Sequence, residues 1–175
     1  MIRFVLPTQN HRNDCLEFIQ EGRQHNTAFH GTSRLEELDF NVWLDKVLRH
    51  HEGLQLDPGY VPATTFLIYD DERLIGLINI RHTLNDTLRK VGGHIGYMIR
   101  PIERCKGYAK KALKEALIYC QEVLNIDTVY VSCDVDNIAS LKTIEGCGGI
   151  LHRRFIDEGE WVHMYRFQFG VSCDA

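Results

Sequence analysis

RPIERCKGYAKKAL, residues 100–113, joins a strand-like segment to a helix-like one and carries five cations beside one acid. The first turn of a helix already holds partial positive charge from its unpaired N–H groups, so cations are unfavourable there unless a ligand offsets them. A strand-to-helix turn also exposes several main-chain N–H groups in one concavity, and Gly107 would let an anion approach the backbone. The segment therefore predicts a phosphate-binding turn. Four of its cations could neutralise the phosphates: Arg104, Lys106, Lys110 or Lys111.

This turn has no standard nucleotide-binding motif. Neither the G-x-x-x-x-G-K-S/T pattern of a Walker loop nor the G-x-G-x-x-G pattern of a dinucleotide fold occurs in the chain. A plainer interpretation also stays open, because Lys110, Lys111 and Lys114 could form a solvated helix face.

The composition is that of one soluble domain over residues 1–175. Hydrophobic residues make up 44% and charged residues 25% of the chain, which is ordinary for a globular protein. A net charge of −4 and the absence of an aromatic and basic stripe argue against a nucleic-acid partner. The start, MIRFVLPTQN, is too short and too soon polar for a signal peptide, and no apolar run is long enough to span a bilayer. We therefore expect a cytoplasmic protein with no membrane partner.

Cysteine and histidine usage predicts neither disulfides nor a metal site. None of the six cysteines forms a C-x-x-C pair, and none of the nine histidines falls in an H-x-x-x-H or Cys/His pattern. We expect reduced thiols, as in a cytoplasmic protein, at all six positions: Cys15, Cys105, Cys120, Cys133, Cys147 and Cys173.

Hydrophobic spacing and turn residues predict the element order β-α-α-β-β-β-α-β-α-β-β. The first helix would be capped by Asn13 or Asp14 and the second by Thr32 or Ser33. A strand, a helix and a strand between residues 94 and 135 indicate a right-handed parallel crossover, and hence a mixed sheet covered by helices. The strands are expected at 2–6, at 64–81 as a hairpin, at 94–99, 128–135, 149–156 and 160–169.

Two motifs in this order resemble the Gcn5-related N-acetyltransferase (GNAT) family. Arg104-x-x-Gly107-x-Ala109 fits its Q/R-x-x-G-x-G/A signature at the start of a central helix. Asn137-x-x-Ser140, followed by a glutamate and a glycine, resembles the family's second feature after the next strand. The resemblance covers nearly the whole chain. It implies an α/β fold with a central mixed sheet of six to seven strands, two splayed parallel strands and about four flanking helices.

The resemblance also implies acetyl-CoA as co-substrate, without a metal. The turn at 104–109 would hold its pyrophosphate, and a strand edge in the cleft between the splayed strands would pair with the pantetheine arm. Asn137 would bond the same arm, unless it is a plain helix cap. The residues expected to bind acetyl-CoA are Tyr97, Met98, Ile99, Arg104, Cys105, Lys106, Gly107, Tyr108, Ala109, Lys110, Asn137 and Ser140.

The catalytic residues are less well defined by the resemblance. Many relatives place a glutamate on the splayed strand as general base, where this chain has His94, which is either that base or a buried structural histidine. His163 and Tyr165 are alternatives. The usual acid tyrosine is replaced by Ile144, so the acid stays unassigned among a nearby tyrosine, Ser140 and water. An acyl-enzyme on Cys133 is disfavoured, because direct transfer dominates the family.

The resemblance implies an acceptor pocket that is shaped by the segment between the first two helices and by the last hairpin. The chain would move an acetyl group to a primary amine of a small molecule, peptide or protein by direct transfer in a ternary complex. The acidic surface would suit a cationic amine. A homodimer is also possible. The alternative is a non-catalytic acetyl-CoA-binding sensor or scaffold. The residues expected near the acceptor, several of them also core candidates, are Phe29, His30, Phe40, Trp43, Tyr60 and Trp161.

Overall fold

The computed structural model describes residues 1–170 and contains seven strands and five α-helices. The strands are β1 (Ile2–Val5), β2 (Ala63–Asp70), β3 (Arg73–Arg81), β4 (Ile95–Ile99), β5 (Thr128–Asp134), β6 (Ile150–Asp157) and β7 (Glu160–Gln168). The helices are α1 (Arg12–Gln24), α2 (Phe40–Glu52), α3 (Asp86–Lys90), α4 (Tyr108–Glu122) and α5 (Ile138–Gly146). Two short 3-10 turns, Gln9–His11 and Pro101–Glu103, precede α1 and α4. The mixed α/β fold class is confirmed, with one helix more than expected.

The strands form two antiparallel sheets. The first has the order β1-β2-β3-β4 and the second the order β5-β7-β6. Within residues 1–170, the segment just before β4 meets β5 at a single antiparallel bridge between Gly93 and Val131, and the next residue, His94, donates its N–H to Tyr130 O at 2.7 Å. The predicted strand, helix and strand are present, but the two strands separate beyond this junction. The expected mixed sheet is therefore split at the splay.

Helices cover both faces of the first sheet. One core cluster lies under α4, whose alanines Ala112 and Ala116 are fully buried and allow the helix to lie close to the strands. The other lies under α1 and α2, where Phe18 and Trp43 are fully buried against the opposite face. Burying a large apolar side chain contributes roughly 1.5–3 kcal/mol, so both layers hold the sheet in place.

The helix starts correct two predictions. α2 begins at Phe40 and is capped by Asp39, whose carboxylate accepts the N–H of Asn41 at 2.8 Å, not by Thr32 or Ser33. Ser33 has φ +56°, a left-handed conformation that does not continue into a helix. The buried Thr32 instead accepts a hydrogen bond at its carbonyl from the indole of Trp43, at 2.8 Å.

The predicted cap of α1 is also wrong, because Asn13 and Asp14 lie inside that helix. Asp14 accepts a hydrogen bond from the Tyr69 hydroxyl of β2 and so ties α1 to the sheet. The additional helix, α3, starts at Asn85, whose side chain accepts the N–H of Leu88 at 2.9 Å. Its five residues are too few for a hydrophobic period to reveal them.

No helix in residues 1–170 is long and apolar enough to cross a membrane. Five of the six cysteines are described and all five are free thiols. The prediction for Cys173 lies outside the described residues.

Candidate active site

The turn before α4 carries a row of main-chain donors without acceptors. Cys105 and Gly107 adopt left-handed conformations, with φ +61° and +80°, which turn the backbone sharply. Arg104 N–H bonds to Pro101 O at 3.3 Å, and the helical pattern begins with Lys111 N–H to Gly107 O at 3.1 Å. Between them, the N–H groups of residues 105–110 find no acceptor within residues 1–170. Such a row of donors at a helix start is suited to an anion.

The cations of this turn are used in different ways. Lys106 Nζ pairs with Glu103 Oε2 at 2.8 Å, and this hydrogen bond is the main reason that the pKa of Glu103 is lowered. Arg104 Nε donates to Ile99 O at 3.2 Å. Lys110 and Lys111 form no ion pair within the described chain. These two lysines, and the guanidinium of Arg104 apart from its Nε, are therefore available to a phosphate.

β4 turns an unpaired main-chain edge toward β5. The N–H group of Arg100 bonds to Ile75 O of β3 at 2.9 Å, and in an antiparallel pair such bonds recur at every second residue. Met98 therefore turns its main chain to β3, whereas the main-chain groups of Tyr97 and Ile99 point to the opposite edge. Of the three residues predicted at this edge, Tyr97 and Ile99 have the required orientation, and the Ile99 carbonyl already accepts a hydrogen bond from Arg104 Nε.

A hydrogen bond crosses the opening between β4 and α5. The Tyr97 hydroxyl lies 2.9 Å from Ser140 Oγ, in the first turn of α5. Burial raises the pKa of Tyr97 to about 12, so the phenol stays protonated at neutral pH. Asn137 acts as the cap of α5, since its Oδ1 accepts the N–H of Ser140 at 3.1 Å. Sequence analysis missed the Tyr97–Ser140 link, because nothing in the spacing of two residues 43 apart indicates it.

His94 lies at the junction of the two sheets and is 5% exposed. Its Nδ1 accepts the main-chain N–H of Tyr130 at 3.0 Å, so the neutral ring carries its hydrogen on Nε2. Burial, followed by the charges of Arg81 and Arg89, lowers the pKa of His94 to about 4. The imidazole is thus neutral at pH 7, but one of its two nitrogens is already occupied.

The alternative catalytic residues lie on the second sheet. The hydroxyl of Tyr165 donates to Glu145 Oε1 at 2.7 Å, and the His163 Nδ1 atom is buried without a hydrogen-bond partner in the described residues. Burial raises the pKa of the Cys133 thiol, which makes it a weaker nucleophile. Ile144 is fully buried in the core under α4. None of these contacts alone assigns a base or an acid.

The aromatic residues expected near the acceptor separate into three groups. Phe29, His30 and Tyr60 line a cavity of about 440 Å³ between the segment before α2, α2 itself and the end of β3. Phe40 and Trp43 are core residues of the α1 and α2 layer. Trp161 lies on β7, is more than half exposed and does not line this cavity.

Gly31 brings this cavity next to β4. It has φ +67°, and a Cβ atom at this position would overlap the carbonyl of Gly96 and lie 2.6 Å from Tyr97 N. A glycine is therefore required where the segment crosses the strand. The cavity also contains polar side chains from the end of β3, Asn79 and Arg81, which sequence analysis did not single out. The sequence feature that could have identified them is the presence of two polar residues on one face of an otherwise apolar strand.

A metal centre is not seen at these positions. Within residues 1–170, no three side chains of His, Cys, Asp or Glu come together in a group that could hold a metal ion.

Comparison with known proteins places this arrangement in a family. The acetyltransferase (GNAT) domain profile matches residues 2–150. No curated protein matches the chain. A mutant of the spermidine N-acetyltransferase SpeG from Vibrio cholerae is similar in structure, with a TM-score of 0.65, 20% identity, and coverage of 96% of this chain and 94% of that one. The microcin C7 self-immunity acetyltransferase MccE, solved in complex with acetyl-CoA and AMP, is similar with a TM-score of 0.69 and 15% identity. The match covers 96% of this chain and 92% of that one.

At these identities the structural likeness establishes the fold, and the matched profile, which spans most of the chain, establishes the family. The row of free amides before α4 and the whole first sheet lie within the residues that the profile matches. The chain belongs to the GNAT acetyltransferase family.

Proposed function

We propose that the protein is an acetyl-CoA-dependent N-acetyltransferase that moves the acetyl group to a primary amine by direct transfer in a ternary complex. One observation carries the proposal: the unpaired N–H groups of residues 105–110 adjoin the unpaired edge of β4. A diphosphate followed by an amide-containing arm would satisfy both sets of polar groups, because main-chain donors at a helix start are suited to an anion and an unpaired strand edge can accept an added strand.

In this proposal the donor is held mainly by main-chain groups. The N–H groups of residues 105–110 bind the diphosphate, and Lys110 and Lys111 offset its charge. The outward main-chain groups of Tyr97 and the N–H group of Ile99 bind the amides of the pantetheine arm, as an added strand would, since the Ile99 carbonyl is bonded to Arg104 Nε. Asn137 and Ser140 close the opposite side of the opening. The remaining residues predicted to bind acetyl-CoA, among them Met98 and Tyr108, stay predictions.

Bound acetyl-CoA supplies an activated acyl group, and the chain contributes position and proton transfer. Holding the amine against the acyl carbon removes much of the entropic cost of their encounter. The Tyr97 hydroxyl is the proton donor that lies within the opening, and we propose it as the acid for the departing sulfur. His94 stays the candidate base. For that role its occupied Nδ1 requires either release of the Tyr130 N–H or a rotation of the ring.

An amine panel tests the function. We expect release of free coenzyme A thiol when the protein is incubated with acetyl-CoA and primary amines, and no release above background with Gly107→Val. His94→Ala should lower turnover with little change in the affinity for acetyl-CoA. An unchanged turnover and pH profile in that variant would count against His94 as base.

A non-catalytic acetyl-CoA-binding role is the second candidate. It is favoured by Ile144 at the position of the family's acid tyrosine and by the occupied lone pair of His94. Its signature would be a thermal shift with acetyl-CoA but no thiol release with any amine. A homodimer and a cytoplasmic location stay predictions; light scattering on the purified chain checks the first.

A further inference from the structure

The cavity beside β4 contains an arginine that the fold does not pair with an acid. Arg81 ends β3 and is partly buried, and its Nη1 donates to Gly93 O at 2.9 Å. No carboxylate forms an ion pair with it in residues 1–170. Burial also lowers the pKa of Arg81. A guanidinium has five N–H donors in a planar fork, so most of its capacity is left for a ligand.

The other cations of the cavity already have partners. Arg34 binds Glu37 Oε2 at 2.6 Å. Lys46 Nζ and His50 Nε2 lie 3.6 and 3.5 Å from the same oxygen of Asp57. Arg81 is therefore the cation of this cavity that has no charged partner in the described chain, so a bound anion would supply one.

His50 is only loosely paired. Its side chain is 7% exposed and lines the cavity, and its buried Nε2 lies 3.5 Å from Asp57 Oδ2 without forming a hydrogen bond. The ring lies 5.1 Å from the ring of Tyr60, and Lys46 Nζ lies 4.3 Å from the centre of that ring. These groups give the cavity a wall of donors that a ligand with acceptor oxygens would satisfy.

One carboxylate lines the same cavity. Glu36 accepts the hydroxyl hydrogen of Thr32 at 2.6 Å and forms no ion pair in the described chain. Because Arg34 and Lys46 are paired with Glu37 and Asp57, the lining charges without an ion pair in the described chain are those of Arg81 and Glu36. A polyamine would find a counterpart only in Glu36 and would be repelled by Arg81, whereas a molecule with separate positive and negative ends would find a counterpart for each.

We propose that the acetyl acceptor is an amine that also bears a carboxylate or phosphate group, and that Arg81 binds this anionic group. The inference rests on the proposed acetyltransferase function and narrows its substrate class. It replaces the expectation, drawn from the acidic surface, of a purely cationic amine. Arg81 N–H also bonds to His94 O at 2.8 Å, so an anion at Arg81 would anchor the acceptor close to the candidate base and to the junction of the sheets.

Matched acceptor pairs test this on the unmodified chain. Thiol release is measured with ethanolamine and phosphoethanolamine, with tyramine and tyrosine, and with spermidine. We expect kcat/KM to be at least tenfold higher for the anionic member of one or both pairs than for its neutral counterpart and for spermidine. The phosphate pair and the carboxylate pair distinguish the two sources of negative charge. Equal values within both pairs, or a preference for spermidine, would overturn the proposal.

Arg81→Gln supplies the second test. It should raise KM for the preferred anionic acceptor at least tenfold while KM for acetyl-CoA and kcat/KM for the neutral counterpart stay the same, and Arg81→Lys should recover part of the loss. Arg166→Gln, an exposed strand arginine of the second sheet, is the control for charge loss. Loss of activity toward both members of a pair, with an unchanged thermal midpoint, would assign Arg81 a role other than anion binding and contradict the proposal.

Failure of the acetyltransferase proposal can be distinguished from failure of the anion site at Arg81. If no amine releases thiol, the acetyltransferase proposal fails, and calorimetry still tests Arg81. Tyrosine or phosphoethanolamine should bind the wild-type chain more tightly than Arg81→Gln. If Arg81→Gln does not fold, binding of ethanolamine and phosphoethanolamine to the wild-type chain is compared instead, and equal binding of the two would refute the anion site.

Discussion

The two ends of the site are built in different ways. At the end assigned to the donor, consecutive residues 105–110 offer main-chain N–H groups, and their side chains matter less. At the end assigned to the acceptor, side chains come from the segment before α2, from α2 and from β3, which are far apart in the chain. A backbone site needs only a local conformation, whereas a side-chain site needs the whole fold. The predictions below separate these two kinds of site.

The largest effect is expected from closing the acceptor end. Gly31→Ala would place a Cβ atom against the carbonyl of Gly96 and would add the cost of a left-handed alanine, so the free energy of unfolding should fall by about 3 kcal/mol. Gly59→Ala is the matched control, since Gly59 lines the same cavity with φ +82° and has no atom within 4 Å of the new Cβ. Chemical denaturation should show a loss of only about 1 kcal/mol there. Equal losses would mean that Gly31 does not lie on β4.

The next effect concerns the donor end. Gly107 has φ +80° and open space around its missing side chain, so Gly107→Val acts through backbone conformation and must reorient the neighbouring N–H groups. We expect the Kd for coenzyme A, measured by calorimetry, to rise at least tenfold. Gly159→Val, with φ +91° and equally open surroundings in the β6–β7 turn, should lose similar stability but keep its affinity. Parallel losses of affinity in both variants would contradict a backbone site at 105–110.

A pH-dependent effect is expected at the junction between the two ends. Below about pH 6.5 the histidine of the unfolded chain binds a proton, whereas folded His94 stays neutral until about pH 4. The unfolded state therefore binds more protons in this window, and stability should fall as the pH drops from 6.5 to 4. His50 and His82, whose pKa values are also lowered by burial, act in the same direction.

The contribution of His94 to this pH dependence is measured by comparison with His94→Asn, whose side chain can still accept the Tyr130 N–H. Denaturation curves at several pH values should show a shallower loss in the variant, by at most about 1.4 kcal/mol per pH unit, the equivalent of one proton. Identical slopes would mean that His94 is not buried in its neutral form.

The smallest effect is expected across the opening. Tyr97→Phe removes the hydrogen bond to Ser140 and should lower stability by about 1 kcal/mol. If Tyr97 is the acid, kcat should also fall, about tenfold or more, while the KM for acetyl-CoA changes little. Ser140→Ala breaks the same hydrogen bond but keeps the phenol, so it should match the stability loss without the fall in kcat. Equal kcat values in the two variants would remove Tyr97 from the chemistry.

Features with a local cause were predicted well. The hairpin of β2 and β3, the strand stopped by Pro7, and α4 with its preceding turn follow from spacing, turn residues and one glycine. The starts of α1 and α2 were predicted wrongly. Asp14 bonds to the Tyr69 hydroxyl, and the buried Thr32 carbonyl bonds to the indole of Trp43, so these tertiary contacts override local capping preferences. Capping rules see only neighbouring residues.

For the site, main-chain donors were predicted at 104–109, whereas the structure leaves those of 105–110 without acceptors and bonds the Arg104 N–H to Pro101 O. The side-chain cations of the turn were not sorted by the sequence. Lys106 is taken by Glu103, while Lys110 and Lys111 are not, and only packing separates these cases. The Tyr97–Ser140 hydrogen bond and the lack of an acid beside Arg81 likewise depend on which side chains come close in the folded structure. The hydrophobic periodicity of the sequence does not predict either feature.

The sequence by itself determined the donor end, since a left-handed glycine and a helix start expose main-chain donors whatever surrounds them. The tertiary structure alone decided which face of β4 stays unpaired and which charges of the acceptor cavity lack a partner. The physical reason is that backbone conformation is set over a few residues, whereas burial and pairing of side chains depend on elements that meet only when the chain is folded.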